Sequence, residues 1–298
     1  MYDIKKIYQA SNVNDVLKIM KENKEVKVIA GGTDVLIKMR ERKYKDVEII
    51  SIGDIPELMG IDVDEAGTVI IKAATRFIDI ISNEYILKNL PTLVKASNQI
   101  GSPQIRNIAT IGGNICNGAV SADIVPILLV LDAELHIINL SGDIRIININ
   151  DLHSGPGQTS LVAGEELLVE IHIKKENYSN YGFDYYKYGK RNAMEIATLG
   201  CAIGVRLNDQ KDIIDDIKIA YSVAAPTPRR CDSIEKLMLG KKLAMTTINL
   251  IKPENIAELL PRDSWRASKD FRLQLIKEIG RRTALEAIKA NGGELCID

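Results

Sequence analysis

Two pairs of adjacent glycines carry the clearest chemical signal in this sequence. The first, at 31–32, separates a β-branched stretch at 26–30 from an apolar stretch at 35–40 that is typical of a helix. The second, at 112–113, follows Thr110. Glycine has no Cβ, so the amides of such loops can approach an anion closely, and a following helix adds unpaired N–H donors. Two such loops could bind the two phosphates of a dinucleotide.

Other readings of these glycines stay open at this point. Each pair alone is also typical of a tight turn that connects two elements. The Rossmann fingerprint is not met, because Gly155 and Gly157 are followed by Ser160 where a third glycine belongs, and no P-loop motif occurs. No serine, histidine or carboxylate pattern announces a nucleophile or an acid–base pair. We therefore predict no catalytic side chain and expect a bound cofactor to carry any reaction.

Composition excludes several classes of protein. The 298 residues carry a net charge of -1 and are 46% hydrophobic, as in ordinary globular proteins. A whole-protein basic field for nucleic acid is excluded. The longest apolar run, at 124–131, is far shorter than the roughly 20 residues that a membrane span needs, so no membrane association is expected. The first ten residues lack the apolar core of a secretory signal, so we expect a cytoplasmic protein.

Cysteines and histidines are scattered. Zinc ribbons and iron–sulfur clusters recruit cysteines in close pairs, and this sequence has none, so we predict no metal site in the chain and free thiols. The four cysteines are Cys116, Cys201, Cys231 and Cys296. The three histidines, His136, His153 and His172, are also far apart. A metal site would need partners that only the fold could bring together.

The elements that must position the two loops follow from hydrophobic periodicity. A helix is expected after Ser11, strands at 26–30 and 47–52, a helix at 87–99, and a long helix at 268–290 that stops at 291–293. Between these lie stretches typical of strands, which predict an antiparallel or mixed sheet rather than repeated βαβ units. The strand-like stretches are 62–74, 134–139, 143–149, 167–173, 198–207 and 213–223. The polar stretch at 174–181 marks a domain boundary. We therefore expect an α+β protein with domains at 1–176 (lobes 1–58 and 59–176) and 177–298.

Several strings resemble those of the flavoprotein subunits of the molybdenum hydroxylase family, and in particular those of the bacterial xanthine dehydrogenase type. VIAGGTDVLI at 28–37 and QIRNIATIGGNICNG at 104–118 are similar to the two loops that bind the FAD pyrophosphate in that family. The similarity continues in order along the chain, at 121–126, 183–197, 224–231 and 261–272.

This resemblance implies a fold and a binding site. The fold would be a vanillyl-alcohol-oxidase-like (PCMH-type) FAD-binding domain of two lobes, followed by a CO-dehydrogenase-flavoprotein-like C-terminal α+β domain. FAD would lie between the lobes. The pyrophosphate would be bound by Val28, Ile29, Ala30, Gly31, Gly32, Thr33, Asp34, Val35, Thr110, Ile111, Gly112, Gly113 and Asn114. Further FAD contacts implied by the resemblance are Ile100 near the adenine, Cys116 near the flavin ring, Asp123 at ribose or phosphate-linked groups, Leu168 and Lys187.

The resemblance also implies a reaction and partners. A molybdenum-cofactor subunit would hydroxylate a purine, a [2Fe–2S] subunit would carry the electrons to FAD in this chain, and NAD⁺ would accept them. The loop 187–195 would form the rim of the NAD⁺ site. The unpaired cysteines argue against a family branch whose flavin subunit carries its own four-iron cluster. A related substrate such as nicotinate, CO, an aldehyde or another N-heterocycle remains an alternative, as do a free-standing flavin oxidase and a non-catalytic nucleotide-sensing module.

Overall fold

The first lobe is built on a small parallel sheet. The structure, a computed structural model, describes residues 2–191 and 193–295. The elements of this lobe are β1 Ile4–Gln9, α1 Val13–Glu22, β2 Lys27–Ile29, α2 Val35–Arg40 and β3 Val47–Ser51. The strand order is β1-β3-β2, with both pairs parallel. Helix α1 covers the sheet with the buried side chains of Val16, Leu17 and Met20, and the Asn12 side chain caps it by accepting a hydrogen bond from the Asp15 amide.

The second lobe is an antiparallel sheet flanked by short helices. Its strands are β4 Ile61–Val63, β5 Val69–Lys72, β6 Glu134–Asn139, β7 Ile144–Asn148, β8 His153–Gly155, β9 Gln158–Thr159 and β10 Glu166–Ile173. Its helices are α3 Phe77–Ser82, α4 Glu84–Asn89, α5 Pro91–Asn98, α6 Pro103–Arg106, α7 Ile111–Cys116 and α8 Val125–Val130. The strand order is β4-β5-β10-β6-β7, and β8 and β9 form a separate hairpin. The predicted antiparallel region is therefore confirmed.

Prolines change the helical segments that the sequence predicts. The single helix expected at 87–99 is wrong: α4 ends at Asn89, Leu90 lies between the two helices, and Pro91 begins α5. Proline lacks the N–H that a continuous helix needs, but it fits the first helical turn, where that N–H has no partner. Pro103 likewise begins α6, after Ser102, whose side chain accepts a hydrogen bond from the Ile105 amide.

The C-terminal third forms a four-stranded antiparallel sheet that is covered on both faces. Its elements are β11 Gly182–Tyr188, β12 Leu199–Leu207, β13 Ile214–Ser222, β14 Arg229–Arg230, α9 Asp232–Met238, α10 Met245–Ile248 and α11 Lys269–Ala290, with the strands in sequence order. Helix α11 packs across β11 and β12, and α8 of the second lobe packs against β12 and β13. Strand β12 is therefore buried almost throughout, which explains why its sequence does not alternate.

Four short 3₁₀ helices lie in the described chain, at Pro56–Leu58, Ile149–Asp151, Lys175–Asn177 and Pro253–Asn255. Helix α11 begins after Ser268 and ends at Ala290, just before the predicted stop at 291–293. Across residues 2–191 and 193–295, none of the helices combines the length and the apolar character that crossing a bilayer requires.

Candidate cofactor-binding site

The two diglycine loops meet because Gly31 lets one backbone lie directly on the other. A Cβ on Gly31 would overlap the carbonyl oxygen of Ile108, which immediately precedes the second loop. Gly32 has φ +70°, a left-handed conformation that glycine adopts without strain. The turn that follows strand β2 therefore packs against the chain that enters α7. Stretches almost eighty residues apart in sequence become opposite walls of one cleft.

This cleft has a volume of about 370 Å³. Its walls come from the first loop and β2, from the second loop and α7, from the hairpin region at 157–164, and from the start of β10. The lining side chains and backbone atoms include Lys24, Val28, Ala30, Gly31, Gly32, Thr33, Asp34, Val35, Lys38, Ala109, Thr110, Gly112, Gly113, Asn114, Cys116, Asn117, Thr159, Leu161, Leu167 and Leu168. The cleft is therefore shared by both lobes.

The first loop presents free hydrogen-bond donors to the cleft. In the described part of the chain, the amides of the four residues 31–34 donate hydrogen bonds to no other atom, and the first backbone bond after them runs from Leu36 N to Gly32 O at 3.0 Å. Consecutive unpaired backbone N–H groups form an anion-binding concavity. This loop therefore has backbone donors available for a phosphate in the cleft that it lines.

The second loop is built differently, because its own fold uses most of its amides. Ile111 N donates to Thr75 O, Gly112 N to Ala73 O at 2.8 Å, and Gly113 N to the Thr110 hydroxyl at 3.2 Å. The buried Asn114 Oδ1, however, has no hydrogen-bond partner in the described structure. A buried polar atom without a partner costs free energy unless a ligand or water satisfies it. The residues present thus fit a nucleotide cofactor: the first loop offers amide donors to a phosphate, and Asn114 Oδ1 can accept a hydrogen bond from a hydroxyl or N–H group of the ligand.

Most of the residues that the sequence predicts for the site line this cleft, and five do not. Ile29 and Ile111 are buried behind the loops. Ile100, Asp123 and Lys187 lie outside the lining of the cleft. Ile100 is buried in the core of the second lobe.

Asp123 belongs to a second cavity of about 270 Å³, between α6 and the loop after β11. Its lining is Gly101, Ser102, Ile105, Ser121, Asp123, Met194, Glu195 and Ile196. The Asp123 carboxylate accepts a hydrogen bond from Lys187 Nζ at 2.6 Å and one from the buried Tyr185 hydroxyl at 3.3 Å. Lys187 Nζ also donates to Gln99 O at 2.9 Å. Burial raises the pKa of Asp123, and the Lys187 ammonium opposes that shift.

The segment 101–123 contributes to both cavities, since Ser102 and Asp123 line one and Thr110 and Cys116 line the other. A long ligand whose middle is bound by the glycine loops would therefore find two cavities lined by the segment 101–123. The loop after β11, through Met194 to Ile196, covers the second of them.

Basic side chains at the mouth of the main cleft were missed from sequence. Lys24, Lys27 and Lys38 all line it. Lys38 Nζ donates to Asn117 Oδ1 at 2.8 Å, which ties the first lobe to the second across the cleft. These lysines add positive charge where a diphosphate would bind. No spacing rule could have selected them among 39 basic residues; only the tertiary fold does so.

Cys116 lines the cleft, and burial raises the pKa of its thiol to about 12. The thiol is therefore neutral at physiological pH and is not activated as a nucleophile. Cys116, Cys201 and Cys231 are free thiols in the described structure, and Cys296 lies outside the described residues.

Two protein-family models match the chain. Residues 2–174 match the FAD binding domain in molybdopterin dehydrogenase, and residues 184–287 match the CO dehydrogenase flavoprotein C-terminal domain. The expected α+β fold and its two component families are thereby confirmed.

Similar proteins extend over nearly the whole chain. It is 39% identical over 295 residues to the xanthine dehydrogenase FAD-binding subunit of Escherichia coli O157:H7, covering 99% of this chain and all of that protein. It is 29% identical to the glyceraldehyde dehydrogenase medium chain of Sulfolobus acidocaldarius, covering 90% and 93% of the two chains. Among solved structures, a chain of carbon monoxide dehydrogenase from Hydrogenophaga pseudoflava superimposes with a TM-score of 0.90 at 27% identity, covering 97% of this chain and 99% of that one.

Proposed function

Because this chain belongs to the family of FAD-binding subunits of the molybdenum hydroxylases, in which it is an oxidoreductase subunit with FAD as its cofactor, we propose that it serves a xanthine dehydrogenase-type complex. In that role it passes electrons from a [2Fe–2S] partner subunit, which receives them from a molybdenum-cofactor subunit, to NAD⁺. The observation that carries this proposal is the 39% identity over essentially the full length of both chains to a xanthine dehydrogenase FAD-binding subunit.

The main cleft is proposed to hold the FAD pyrophosphate. The free amides at 31–34 bind one phosphate, the Thr110 hydroxyl and Asn114 Nδ2 donate to the other, and Lys38 adds positive charge. The remaining predicted contacts, Val28 to Val35, Ile111 to Gly113, Ile100, Cys116, Asp123, Leu168 and Lys187, are retained in this proposal. When bound, FAD supplies the redox chemistry of the subunit, with electrons arriving from the clusters and leaving as hydride to NAD⁺.

The rim of the NAD⁺ site is proposed at the loop after β11. Met194 and Ile196 are largely exposed beside the second cavity, and the Lys190 ammonium lies 5.6 Å from the centre of the exposed Trp265 ring. Arg266 lies over the same ring at 4.2 Å. Two cations and an exposed aromatic face beside this loop suit the pyrophosphate and the bases of a second dinucleotide.

The decisive experiment purifies the chain together with the subunits that copurify from its native source. We expect hypoxanthine and xanthine to reduce NAD⁺ in this complex, and we expect the isolated chain to be yellow and to oxidise NADH with a dye acceptor. Nicotinate, an aldehyde or CO as the only active substrate would contradict the purine assignment. Electron transfer from purine to dye but never to NAD⁺ would contradict the acceptor. Turnover of an organic substrate by the isolated chain would favour a free-standing flavin oxidase.

Free thiols fit a reducing compartment, so a cytoplasmic location is part of the proposal. The division into domains at 1–176 and 177–298, with lobes at 1–58 and 59–176, is also a proposal.

A further inference from the structure

Two of the three histidines, although 36 residues apart in sequence, lie side by side on the solvent-facing surface of the second-lobe sheet. The pairing of β6 with β10 sets His136 directly opposite Glu170, and His172 follows two residues later on the same face of β10. The two imidazole rings stack with centroids 3.7 Å apart and planes within 12°. His172 Nε2 also lies 2.7 Å from Glu170 Oε2.

These three side chains offer two nitrogens and one oxygen that all lie within 4.8 Å of one another. Ligand atoms around a tetrahedral ion with bonds of about 2.0 Å are separated by roughly 3.3 Å. The stacked rings direct their lone pairs nearly parallel, so binding one ion requires the rings to rotate about their Cβ–Cγ bonds, while the strand pairing keeps the three side chains adjacent. Within the described chain, no other set of three such donors is this close.

The surroundings leave these donors available. Neighbouring Glu134 is engaged by Lys174, at 2.6 Å, and Lys72, opposite Glu170 on β5, is directed to Asp62 at 3.5 Å. All three residues are half-buried, which restricts their rotamers.

We infer that His136, Glu170 and His172 form a binding site for a divalent transition-metal ion, Zn²⁺ in the first instance, on the outer face of the FAD-binding domain. Two imidazoles and a carboxylate are a donor set that suits zinc, with water completing the coordination. The ion would join β6 to β10, the strand whose other end lines the main cleft through Leu167 and Leu168. The site is structural and takes no part in electron transfer.

The test uses the full-length, FAD-loaded chain, expressed without a histidine tag and stripped with a chelator. Equilibrium dialysis against Zn²⁺ is expected to give about one ion per chain. Each of His136→Gln, His172→Gln and Glu170→Gln is expected to weaken Zn²⁺ binding by at least about tenfold. His153→Gln is the matched control, because His153 lies on β8, bonded to Ile115 O, and this variant should bind Zn²⁺ as the unsubstituted chain does.

A measurement on the unsubstituted chain tests the zinc site even if a variant folds poorly. Zn²⁺ should protect His136 and His172 from acylation by diethyl pyrocarbonate, mapped by peptide mass spectrometry, and leave the reactivity of His153 unchanged. Failure of Zn²⁺ to protect this pair, or binding that is lost in His153→Gln and retained in the other variants, would overturn the site. The stacked rings would then be a packing contact only.

Discussion

At the scale of single residues, the adjacent glycines of the first loop have separate tasks. Gly31 is needed because any side chain there would collide with the Ile108 carbonyl and separate the two loops. Gly32 is needed because its backbone is left-handed, with φ +70°. The pair is therefore not interchangeable: the first glycine permits the close approach of the two loops, and the second permits the left-handed turn between β2 and α2.

Gly32→Asp is expected to abolish FAD retention. A Cβ at this position would lie 3.1 Å from Ile29 Cδ1 and 3.2 Å from Leu36 Cδ1, and the left-handed backbone adds about 1 kcal/mol of strain for a residue other than glycine. The new carboxylate would also repel the phosphates. The flavin-to-protein absorbance ratio of the purified chain measures the effect.

Gly32→Asn is the matched control for that variant, because it has the same shape without the charge and tolerates left-handed backbone better than most residues. It should retain more FAD than Gly32→Asp. Equal and complete retention in both variants would contradict the phosphate assignment, whereas equal loss in both would assign the effect to strain alone.

A second prediction concerns the buried pair of Asp123 and Lys187, whose side chains are 11% and 8% exposed. Lys187→Met should lower the free energy of unfolding of the apoprotein by about 3–5 kcal/mol, because it leaves the Asp123 carboxylate buried without its cation. Adding Asp123→Asn should restore much of that loss. Urea unfolding measures both variants, and a double variant no more stable than Lys187→Met would show that the pair is not coupled.

At the scale of elements, β10 connects the core to the cleft. Its C-terminal part buries Ile171 and Ile173 in the second lobe, and its N-terminal part brings Leu168 to the cofactor cleft. Glu166 begins the strand and is held by Arg145 of β7 through two hydrogen bonds, at 2.7 and 2.8 Å. The strand that lines the site is thus fixed at its start by an ion pair.

The ion pair between Arg145 and Glu166 predicts how the stability of the protein changes at acidic pH. Arg145 lowers the pKa of Glu166 below its ordinary value of 4.5 in the folded state. The unfolded chain therefore takes up the proton first as pH falls, so the contribution of Glu166 to stability is complete above about pH 4.5 and is lost below it. The thermal midpoint of Glu166→Gln should be lower than that of the unsubstituted chain near neutral pH, and the gap should close below pH 4.5. A gap that is constant with pH would contradict the assignment.

The sequence predicts elements well where one face is apolar at regular spacing. This holds for α1, with Val16, Leu17 and Met20, for α11, for the strands of the larger second-lobe sheet, and for β12 and β13 of the C-terminal sheet. It misses β1, whose sequence IKKIYQ is only half hydrophobic and does not alternate, and which is placed by parallel pairing with β3. It also misplaces the helix at 87–99, because Pro91 begins a new helix rather than sitting inside one.

In the cofactor site, too, local features could be predicted from the sequence and tertiary contacts could not. The glycine loops could be found from sequence because diglycine flanked by threonine is a local signal. The sequence could not predict that the amides of the second loop donate hydrogen bonds to the carbonyls of Ala73 and Thr75, because those contacts are tertiary. The neighbourhood of His136 and His172 likewise depends on the register of two strands. The sequence thus predicts which residues can bind a ligand, whereas the hydrogen-bond partners and spatial neighbours of those residues depend on the tertiary fold.

At the scale of the whole molecule, α8 joins the two halves. The apolar run 124–131 is too short for a membrane and folds as this helix, which is buried on all sides. Tyr185, Ala202 and Ala220 of the C-terminal sheet belong to the same apolar core as α8 and the second lobe. Lys218 and Arg230 add ion pairs to Asp132, which immediately follows that run, at 2.5 and 2.7 Å.

Because the core is shared in this way, the proposed domains should not be independent in solution. A chain ending at residue 176 loses the sheet that covers α8 and leaves Asp132 without its two cations. We expect this fragment to be insoluble, or to bind a hydrophobic dye and retain little FAD, even though it contains both glycine loops. Coexpression with a separate 177–298 chain should restore solubility and flavin, because the shared core re-forms between the two pieces. Soluble yield, dye fluorescence and flavin content measure the outcome. A monodisperse 1–176 fragment with a full complement of bound FAD would show instead that α8 is adequately covered by its own lobe. The C-terminal sheet would then serve the binding of partner subunits rather than the folding of the chain.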